Sequence, residues 1–333
     1  MARSGRPRAP SDLVLGIDIG ASKVIAGLVD GQGQVVAESD RRVHGNDGPA
    51  GVVRMVLDTI DDCVGPGRPA FVAAGVAVAA QVDAHRGIVL YAPNLRWSNL
   101  ALGARLRRAL RVPVVLENDV RAATWGEWRF GAGQGSKNLA CLYVGTGIGG
   151  GVVVDGRLLS GEVGAAGEVG HLTVVAGGRR CHCPNRGCLE AYASGWAIGE
   201  IARAEIRQRP RAGSALVQRA GGVGRVTAMT VTGAARDGDP LALRLMADAT
   251  EHVANGAVSI VNAFDPGLLL LGGGIVEGWP GIVDHVRSAV RARAQPPAAR
   301  AVRVGPTRLG AHAPIVGVAR LARSAVAASR RRR

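Results

Sequence analysis

A histidine and three cysteines are spaced like the ligands of a metal ion. GEVGH ends at His171, and CHCPNRGCLE supplies Cys181, Cys183 and Cys188, which gives the pattern H-x9-C-x-C-x4-C. One imidazole and three thiolates form a closed tetrahedral set of the kind that holds structural zinc. We therefore predict a structural Zn²⁺ site, with free thiols as the alternative. His182 stands between two ligands and is predicted to be a spectator, because adjacent side chains point apart.

The residues that flank this cysteine knot argue against a nucleic-acid finger. A finger that reads nucleic acid presents a helix with basic and polar side chains. After Cys188 the sequence is LEAYASGWAIGEIA, which is apolar and acidic and contains no basic residue. The knot is thus predicted to be internal scaffolding. Glu190 lies two residues beyond the last ligand, so a bound metal would fix its position.

A candidate general base lies at a predicted strand end. VVLENDV places Asn118 and Asp119 just after a buried strand, where a carboxylate can accept a proton from a substrate. The alternative is a helix N-cap, a role that Asn and Asp favour ahead of VRAATWGEW. Asp119 combined with Glu168, His171 and Glu190 forms a set suited to binding many hydroxyl groups, which indicates a sugar ligand.

Two glycine-rich segments share one pattern. IDIGASKVIAGLVDG (17–31) and LYVGTGIGGGVVVDG (142–156) align without a gap, and each predicts a strand, a glycine turn and a second strand. GTGIGG alone is a weak dinucleotide fingerprint, and the β-type segment after it does not favour NAD binding. Backbone N–H groups in such turns can bind an anion, although plain tight hairpins are the alternative. Two equivalent copies favour a phosphate chain held by two related halves.

The remaining pattern is α/β. Helical apolar spacing is found in VRMVLDTIDDCV, LALGARLRRALR, PLALRLMADATEHVANGAVSIVNAF and GIVDHVRSAVRARA, and buried strands are predicted in AFVAAGVAV, VPVVLEN and LACLYVG. A third glycine cluster, 272–274, follows the strand GLLLL at an edge where α/β sheets bind ligands, with a strand-to-helix turn as the alternative. Segment 208–225, rich in Gly, Arg and Ala, is predicted to be an irregular or mobile loop.

Composition limits the cellular context. A chain of 333 residues predicts two domains, and the net charge of +15 favours phosphate-rich partners, although much of the excess lies in the two ends as solvated tails. The sequence contains no apolar run of the length that a membrane span needs, and its N-terminus does not resemble a signal peptide. Five cysteines, an odd number with three clustered, favour a metal site in a reducing cytoplasm over disulfides.

Taken together, these motifs resemble the ROK family (repressor, open reading frame, kinase), most closely its bacterial glucokinases, over about Leu13 to Leu321. The resemblance is carried by DIGASK, VLYAPNLRW, VVLENDVRAATWGEWRFGAG, VGTGIGGGVVVDGRLLSG, GEVGH, CHCPNRGCLE with YASG, and LGGG. It implies an actin/hexokinase-like (ribonuclease H-like) α/β fold with two domains and a central cleft, and a homodimer or dimer of dimers. The expected boundaries are 12–117 for a small domain completed by helix 311–329, 118–310 for a large domain, and basic tails at 1–11 and 330–333.

The resemblance also implies residue roles. Asp119 matches the base that takes the proton from a sugar 6-hydroxyl, with ATP and Mg²⁺ as cofactors. The sugar-holding positions match Asn118, Glu168, His171 and Glu190, with Asn94 as a weaker candidate. The nucleotide positions match Asp18 near magnesium, Gly20, Ala21, Ser22 and Lys23 in the first hairpin, Thr146 and Gly147 in the second, and Gly272 and Gly273 at the adenosine turn.

The sequence departs from the family pattern at several positions. DIGGTK of the family is DIGASK here, so Ala21 adds a methyl group where phosphate should approach and disfavours a turn with positive φ. Ala77 and Ala80 stand where glycine is common in the sugar-side loop, and Pro184 replaces a glycine of the knot. These differences bear on catalytic efficiency and sugar choice.

Several functions stay open at this point. An ATP-dependent glucokinase is the leading hypothesis, and a kinase for N-acetylmannosamine, allose or fructose is the alternative. A non-catalytic sugar-binding protein is a third hypothesis. A transcriptional regulator is a fourth, but only about a dozen residues precede the first predicted strand, fewer than a helix-turn-helix needs, so specific DNA binding is not expected. The phosphoryl donor, ATP or polyphosphate, is not fixed by the sequence.

Overall fold

The computed structural model describes residues 13–43, 48–65 and 71–331. Its strands are β1 (Leu13–Ile19), β2 (Lys23–Val29), β3 (Val35–Arg42), β4 (Phe71–Val78), β5 (Gln81–Asp83), β6 (Ile88–Ala92), β7 (Trp97–Leu100), β8 (Val114–Asn118), β9 (Leu139–Val144), β10 (Ile148–Val154), β11 (Arg157–Leu158), β12 (Leu268–Gly272) and β13 (Arg303–Pro306). Its helices are α1 (Gly48–Val64), α2 (Leu102–Leu110), α3 (Asp119–Phe130), α4 (Glu190–Ala193), α5 (Gly195–Gln208), α6 (Ser214–Ala220), α7 (Ala228–Arg236), α8 (Pro240–Phe264), α9 (Gly274–Gly278), α10 (Gly281–Arg293), α11 (Pro296–Ala301) and α12 (Ala313–Arg331). The predicted α/β class is confirmed.

The chain forms two compact units. Unit 1 holds the described residues up to Gln134, the segment Ser160–Ala166 and the chain from Ala311 onward; unit 2 holds Gly135–Leu159 and Gly167–Gly310. The division therefore falls after α3, whereas the sequence pattern predicts it near residue 117. The physical reason is that α3 packs along α12, and both helices lie against the same sheet. The predicted tails 1–11 and 330–333 lie outside the described residues, apart from the backbone at the end of α12.

Each unit contains a five-stranded sheet with the same strand order. Unit 1 has β3-β2-β1-β4-β8, and unit 2 has β11-β10-β9-β12-β13. In unit 1, β1 pairs antiparallel with β2 and parallel with β4. In unit 2, β9 pairs antiparallel with β10 and parallel with β12. The two glycine-rich segments become the equivalent hairpins β1–β2 and β9–β10, which confirms the internal repeat. Unit 1 also has a small antiparallel sheet, β5-β6-β7.

Helix α12 lies unusually close to the sheet of unit 1. Gly16 of β1 and Gly75 of β4 are register partners, and Cβ atoms built on them would lie 2.3 and 2.2 Å from carbonyl oxygens of α12. Helix α12 also lies close to α3, where a Cβ on Gly317 would lie 1.7 Å from the Ala122 oxygen. Only glycine allows backbones to approach this closely, so these positions fix how α12 is seated.

Replacing Gly317 with alanine is expected to lower the free energy of unfolding by about 3 kcal/mol or more, since even one methyl group forces α3 and α12 apart. Chemical denaturation followed by circular dichroism measures the loss. Gly281→Ala is the matched control: Gly281 also lies in a helix but has open space around its Cβ position. The control should be neutral or stabilising by up to about 1 kcal/mol. Equal stability of the two variants would contradict the close packing.

One predicted loop is largely regular in the structure. The sequence pattern predicts an irregular segment at 208–225, yet this segment contains α6 and a 3-10 turn at Val223–Arg225, with Leu216 fully buried. The loop prediction is wrong there because Leu216 reaches the core of unit 2, which glycine-based and arginine-based signals do not reveal.

Within the described ranges, no helix combines the length and apolar character required to cross a membrane.

Candidate active site

The carboxyl ends of β1, β4 and β8 form one edge of the sheet in unit 1. The register pairs Ile19 with Val78, and Val78 with Asn118, so these three residues form one row across the strands. Asp18 lies one position before this row and Asp119 one position after it. The fold thus collects two carboxylates that are 101 positions apart in the sequence, where parallel α/β sheets bind ligands.

Asn118 and Asp119 are fixed by a local hydrogen-bond network. Asn118 is the N-cap of α3: its Oδ1 accepts from Arg121 N at 3.0 Å, so the capping role is confirmed. Its Nδ2 donates to Ala80 O at 3.2 Å and to Asp119 Oδ1 at 2.9 Å. Asp119 Oδ1 also accepts from Val120 N at 2.9 Å. The carboxylate of the predicted base is therefore held in one orientation.

Asp18 is a partly buried carboxylate near Asp119. Burial and the charge of Asp119 raise the pKa of Asp18 to about 7, and the Lys23 ammonium group opposes this shift. The Asp18 Oδ1 atom is buried and has no hydrogen-bond partner among the described residues. A buried, unpartnered carboxylate oxygen near a second carboxylate is the donor set that a hard cation such as Mg²⁺ prefers. The residues present fit that ion.

The first glycine hairpin connects β1 to β2. Gly20 N donates to Lys23 O at 2.9 Å, and Val43 N donates to Ser22 O at 2.9 Å. Ala21 and Ser22 are exposed and neither has a positive φ. The expected backbone strain at Ala21 is therefore absent, because this turn makes no use of the conformation that only glycine adopts cheaply.

An ion pair missed by sequence reasoning supports the same edge. Arg121 and Glu117 are buried, with side chains 2% and 7% exposed, and Glu117 Oε1 accepts from Arg121 Nε at 2.8 Å. Glu117 Oε1 also accepts from Asn118 N at 2.7 Å. Arg121 Nη1 donates to the carbonyl oxygens of Ser160 and Gly164. The pair thus ties the strand end that precedes Asp119 to the 160–166 segment. An i,i+4 charge pair is the only signal of it in the sequence.

Ala77 and Ala80, predicted to lie in the sugar-side loop, contribute to the scaffold. Ala77 is fully buried and packs with Ala122 and Val318, on the side of the sheet that α3 and α12 cover. Ala80 is 8% exposed, and its carbonyl oxygen accepts from Asn118 Nδ2. Asn94 is exposed in the 3-10 turn Pro93–Leu95, which connects β6 to β7.

In unit 2, the second hairpin lies beside the third glycine cluster. Gly145 N donates to Gly147 O at 2.9 Å in the turn between β9 and β10, and Thr146 is exposed at its tip. Strand β12 runs parallel to β9, and Gly273 at its end has a φ of +91°. A Cβ on Gly273 would lie 2.6 Å from Val144 O, so glycine is required both by conformation and by space. The predicted second hairpin and adenosine turn are brought together.

The predicted metal ligands converge. One ligand atom each from His171, Cys181, Cys183 and Cys188 lies within 4.8 Å of every other. Cys183 Sγ is 3.6 Å from Cys188 Sγ, and Cys181 Sγ is 3.7 Å from His171 Nδ1. A tetrahedral ion with metal–sulfur bonds of about 2.3 Å separates its sulfurs by about 3.8 Å, close to these values. The cluster therefore fits a metal ion such as zinc.

Burial holds the thiols of this cluster in the protonated form unless a cation is bound. Burial raises the pKa of Cys181 to about 12 and also raises the pKa of Cys188. The ligand form is the thiolate, so a bound cation reverses this preference. Asn185 Nδ2 donates toward Cys188 Sγ at 3.5 Å, as expected for a donor beside a ligating sulfur.

The remaining candidates border the cluster in unit 2. The His171 Nδ1 atom faces Cys181, while its Nε2 lies 3.9 Å from Glu168 Oε2. Glu190 begins α4, and its Oε2 accepts from Ile148 N at 2.8 Å. Glu168 and Glu190 thus lie beside the cluster to which His171 itself belongs. As predicted, His182 is not one of the metal-type ligands of the cluster. Its ring instead stacks on that of Trp196, with 4.0 Å between the centroids.

Comparison with known proteins adds an independent line of evidence. The model of the ROK family matches residues 14–325. The chain is 32% identical to the glucokinase of Streptomyces coelicolor over 281 residues, which cover 84% of this chain and 87% of that protein. It is 27% identical to the xylose repressor of Bacillus subtilis over 307 residues, which cover 91% of this chain and 75% of the repressor.

Solved structures agree with the sequence relatives. The crystal structure of a ROK family glucokinase from Streptomyces griseus, in complex with glucose and AMPPNP, superposes with a TM-score of 0.81 at 33% identity. The match covers 94% of this chain and 99% of that chain. The predicted actin/hexokinase-like fold is therefore confirmed.

Proposed function

The chain belongs to the ROK family, and we propose that it is a sugar kinase that transfers the γ-phosphoryl group of ATP to the 6-hydroxyl of a hexose. Glucose is the first candidate, because the glucokinases of Streptomyces coelicolor and Streptomyces griseus resemble this chain over most of its length. The observation that carries the proposal is Asp119, whose carboxylate is held in a fixed orientation at the end of β8.

Asp119 serves as the general base. Its carboxylate takes the proton of the sugar 6-hydroxyl while that oxygen forms a bond to the γ-phosphorus, and the bond to the bridging oxygen of ADP breaks. Asn118 orients this carboxylate, since both hydrogens of its amide and its oxygen are already engaged. We therefore assign Asn118 to positioning the base more than to direct sugar contact.

The nucleotide is assigned to the two glycine hairpins and the glycine turn. Gly20 to Lys23 and Thr146 with Gly147 offer backbone donors to phosphate oxygens, and Gly272 with Gly273 leaves room for adenosine. Asp18 would hold Mg²⁺, which supplies neutralisation of the phosphate charges when it is bound. The exposed, unstrained turn at Ala21 supports this assignment in spite of the missing glycine.

The sugar hydroxyls are assigned to acidic and imidazole side chains. Glu168 and Glu190 offer acceptors. With its Nδ1 on a metal ion, His171 offers the N–H of Nε2 as a donor. Asn94 is a further candidate at the 3-10 turn. Such groups discriminate against ligands that lack a matching hydroxyl, because a polar group that the ligand desolvates is then left unpaired. We also propose a homodimer or dimer of dimers that acts in the cytoplasm, by analogy with the family.

A panel assay tests the proposal. Purified protein with Mg-ATP is expected to phosphorylate glucose faster than N-acetylmannosamine, allose or fructose, as measured by ADP release and compared as kcat/KM. The same panel with polyphosphate identifies the donor. Absence of turnover with every sugar and both donors would overturn the proposal. A kcat/KM that is higher for another sugar would retain the kinase and replace the substrate.

The regulator alternative rests on one observation, the 27% identity to the xylose repressor of Bacillus subtilis. A regulator should bind a specific DNA sequence and lose that binding when a sugar is added. Retention of one sequence over a scrambled competitor in a mobility-shift assay would favour it. Turnover that depends on Asp119 would favour the kinase.

Zinc is proposed as the metal of the cluster, because one imidazole and three thiolates match its preferred closed set. The purified protein is expected to contain about one zinc per chain by mass spectrometry of the metal, and Cys188→Ser should lose most of it together with thermal stability. Cys63→Ser is the matched control, since Cys63 is another buried cysteine and lies in α1. Equal zinc in both variants would contradict the assignment.

A further inference from the structure

The turn of the second hairpin is held by the corner between α4 and α5. Glu190 Oε2 accepts from Ile148 N at 2.8 Å. Gly195 N donates to Gly145 O at 2.8 Å, and Trp196 N donates to Thr146 O at 3.1 Å. Three positions of the turn are therefore bonded to the corner, which fixes the position of the turn more firmly than its own internal bond does.

Two glycines leave the space that these hydrogen bonds need. A Cβ on Gly147 would lie 2.7 Å from Glu190 Oε2, and a Cβ on Gly195 would lie 3.0 Å from Gly145 O. Glycine on both sides lets the carboxylate and the corner backbone reach the turn. Gly147 of this hairpin therefore makes room for the supporting Glu190 carboxylate as well as for a ligand.

The same corner contacts the Cys/His cluster, which consists of His171, Cys181, Cys183 and Cys188, at two points. Glu190 follows Cys188 by two residues, and its Oε1 lies 4.0 Å from Cys181 Sγ. The indole of Trp196 stacks on the imidazole of His182 with 22° between the ring planes, and His182 lies between two ligands. The Trp196 Nε1 atom is buried and has no hydrogen-bond partner in the described part of the chain. Polar contacts therefore do not orient this ring, and the stack does.

We propose that Glu190 and the His182–Trp196 stack are positioning residues for the second hairpin, so that order in the Cys/His cluster sets how well the hairpin binds nucleotide phosphate. This inference rests on the proposed kinase function. A phosphate-binding turn works through backbone N–H directions, and displacement of such groups by a fraction of an ångström weakens binding. The cluster thus acts on the nucleotide as well as on the sugar-type residues that surround it.

The stack is tested with paired variants at His182. His182→Ala is expected to raise the dissociation constant of Mg-AMPPNP by about three- to tenfold in titration calorimetry, the range of one aromatic pair. His182→Phe keeps a stacking ring and should stay within about twofold of the unmodified protein. Arg186→Ala is the matched control, since Arg186 is exposed in the same loop and its Nη1 bonds Gly178 O. Metal content is measured for each protein and should be unchanged.

Glu190 is tested by comparing an isosteric and a truncated variant. Glu190→Gln keeps an acceptor for the Ile148 N–H, whereas Glu190→Ala removes it. Only the alanine variant is expected to weaken Mg-AMPPNP binding, by about tenfold, since a backbone donor loses its partner. Both variants should raise KM for the sugar, because both lose the carboxylate charge.

Two outcomes would overturn the inference. One is an unchanged nucleotide dissociation constant in His182→Ala and Glu190→Ala. The other is a Cys188→Ser protein that has lost its metal and still binds Mg-AMPPNP with an unchanged dissociation constant. Both presuppose that the unmodified protein binds Mg-AMPPNP and phosphorylates a hexose. If it does neither, the proposed function itself has failed, and the two failures are thereby distinguished.

Discussion

Replacement of Asp119 with asparagine is expected to lower kcat by about 10²–10⁴-fold, the usual contribution of a positioned general base. Asparagine keeps an oxygen that can accept from Asn118 Nδ2 and Val120 N, so the local geometry should survive. The loss should fall on kcat, and KM for the sugar should change little, since the base acts in the transition state. Steady-state kinetics with glucose and ATP measure both constants.

Asp58→Asn is the matched control for this experiment. Asp58 lies in α1, is about half exposed and faces Arg41 of β3 at 3.7 Å, and β3 and β8 are the two opposite outer strands of their sheet. Its kinetic constants should equal those of the unmodified protein. Circular dichroism must show the same fold for both variants. A loss of less than about tenfold in Asp119→Asn would remove Asp119 from the role of base.

Replacement of Arg121 with methionine is expected to lower the free energy of unfolding by about 3–5 kcal/mol, because it leaves Glu117 buried without its cation. Breaking a buried pair in this way costs more than the pair itself contributes. The change also releases the carbonyl oxygens of Ser160 and Gly164. Denaturant unfolding measures the stability, and hydrogen exchange over 160–166 should rise because that segment loses its anchor.

A double variant separates the cost of losing the Arg121 contacts from the cost of leaving Glu117 as a buried, unpaired charge. Arg121→Met with Glu117→Gln removes the uncompensated charge, so it should regain part of the lost stability. Arg219→Met is the surface control: its pair with Asp237 is about half exposed, and its removal should change stability by less than about 1 kcal/mol. Equal effects of Arg121→Met and Arg219→Met would contradict the structural role of the buried pair.

The parts of this molecule that follow local rules are predictable from its sequence. Strand ends, glycine turns and metal-ligand spacing are determined by neighbouring residues, so sequence patterns alone identify Asp119, the two hairpins and the Cys/His cluster. Position Ala21 shows the limit of pattern matching. A missing glycine suggests strain, but the turn has no positive φ that would need one.

The supporting contacts are beyond the reach of sequence patterns because they join distant residues. Glu190 bonds Ile148 across 42 positions, and a carboxylate beside a backbone N–H has no sequence signature. His182 stacks on Trp196 only because the corner at α5 returns to the knot. In the sequence Arg121 is one of many arginines in a basic chain, and its burial decides its role.

The seating of α12 has a consequence for biosynthesis. A ribosome makes β1, β4 and α3 first, then all of 135–310, and only afterwards the helix that covers Gly16 and Gly75. Unit 2 is one nearly continuous segment and can fold while the nascent chain is still growing, but unit 1 cannot finish until translation has passed α12. Until then the sheet of unit 1 exposes an apolar face. This interval is therefore the one in which the nascent chain is most prone to aggregate and most in need of a chaperone.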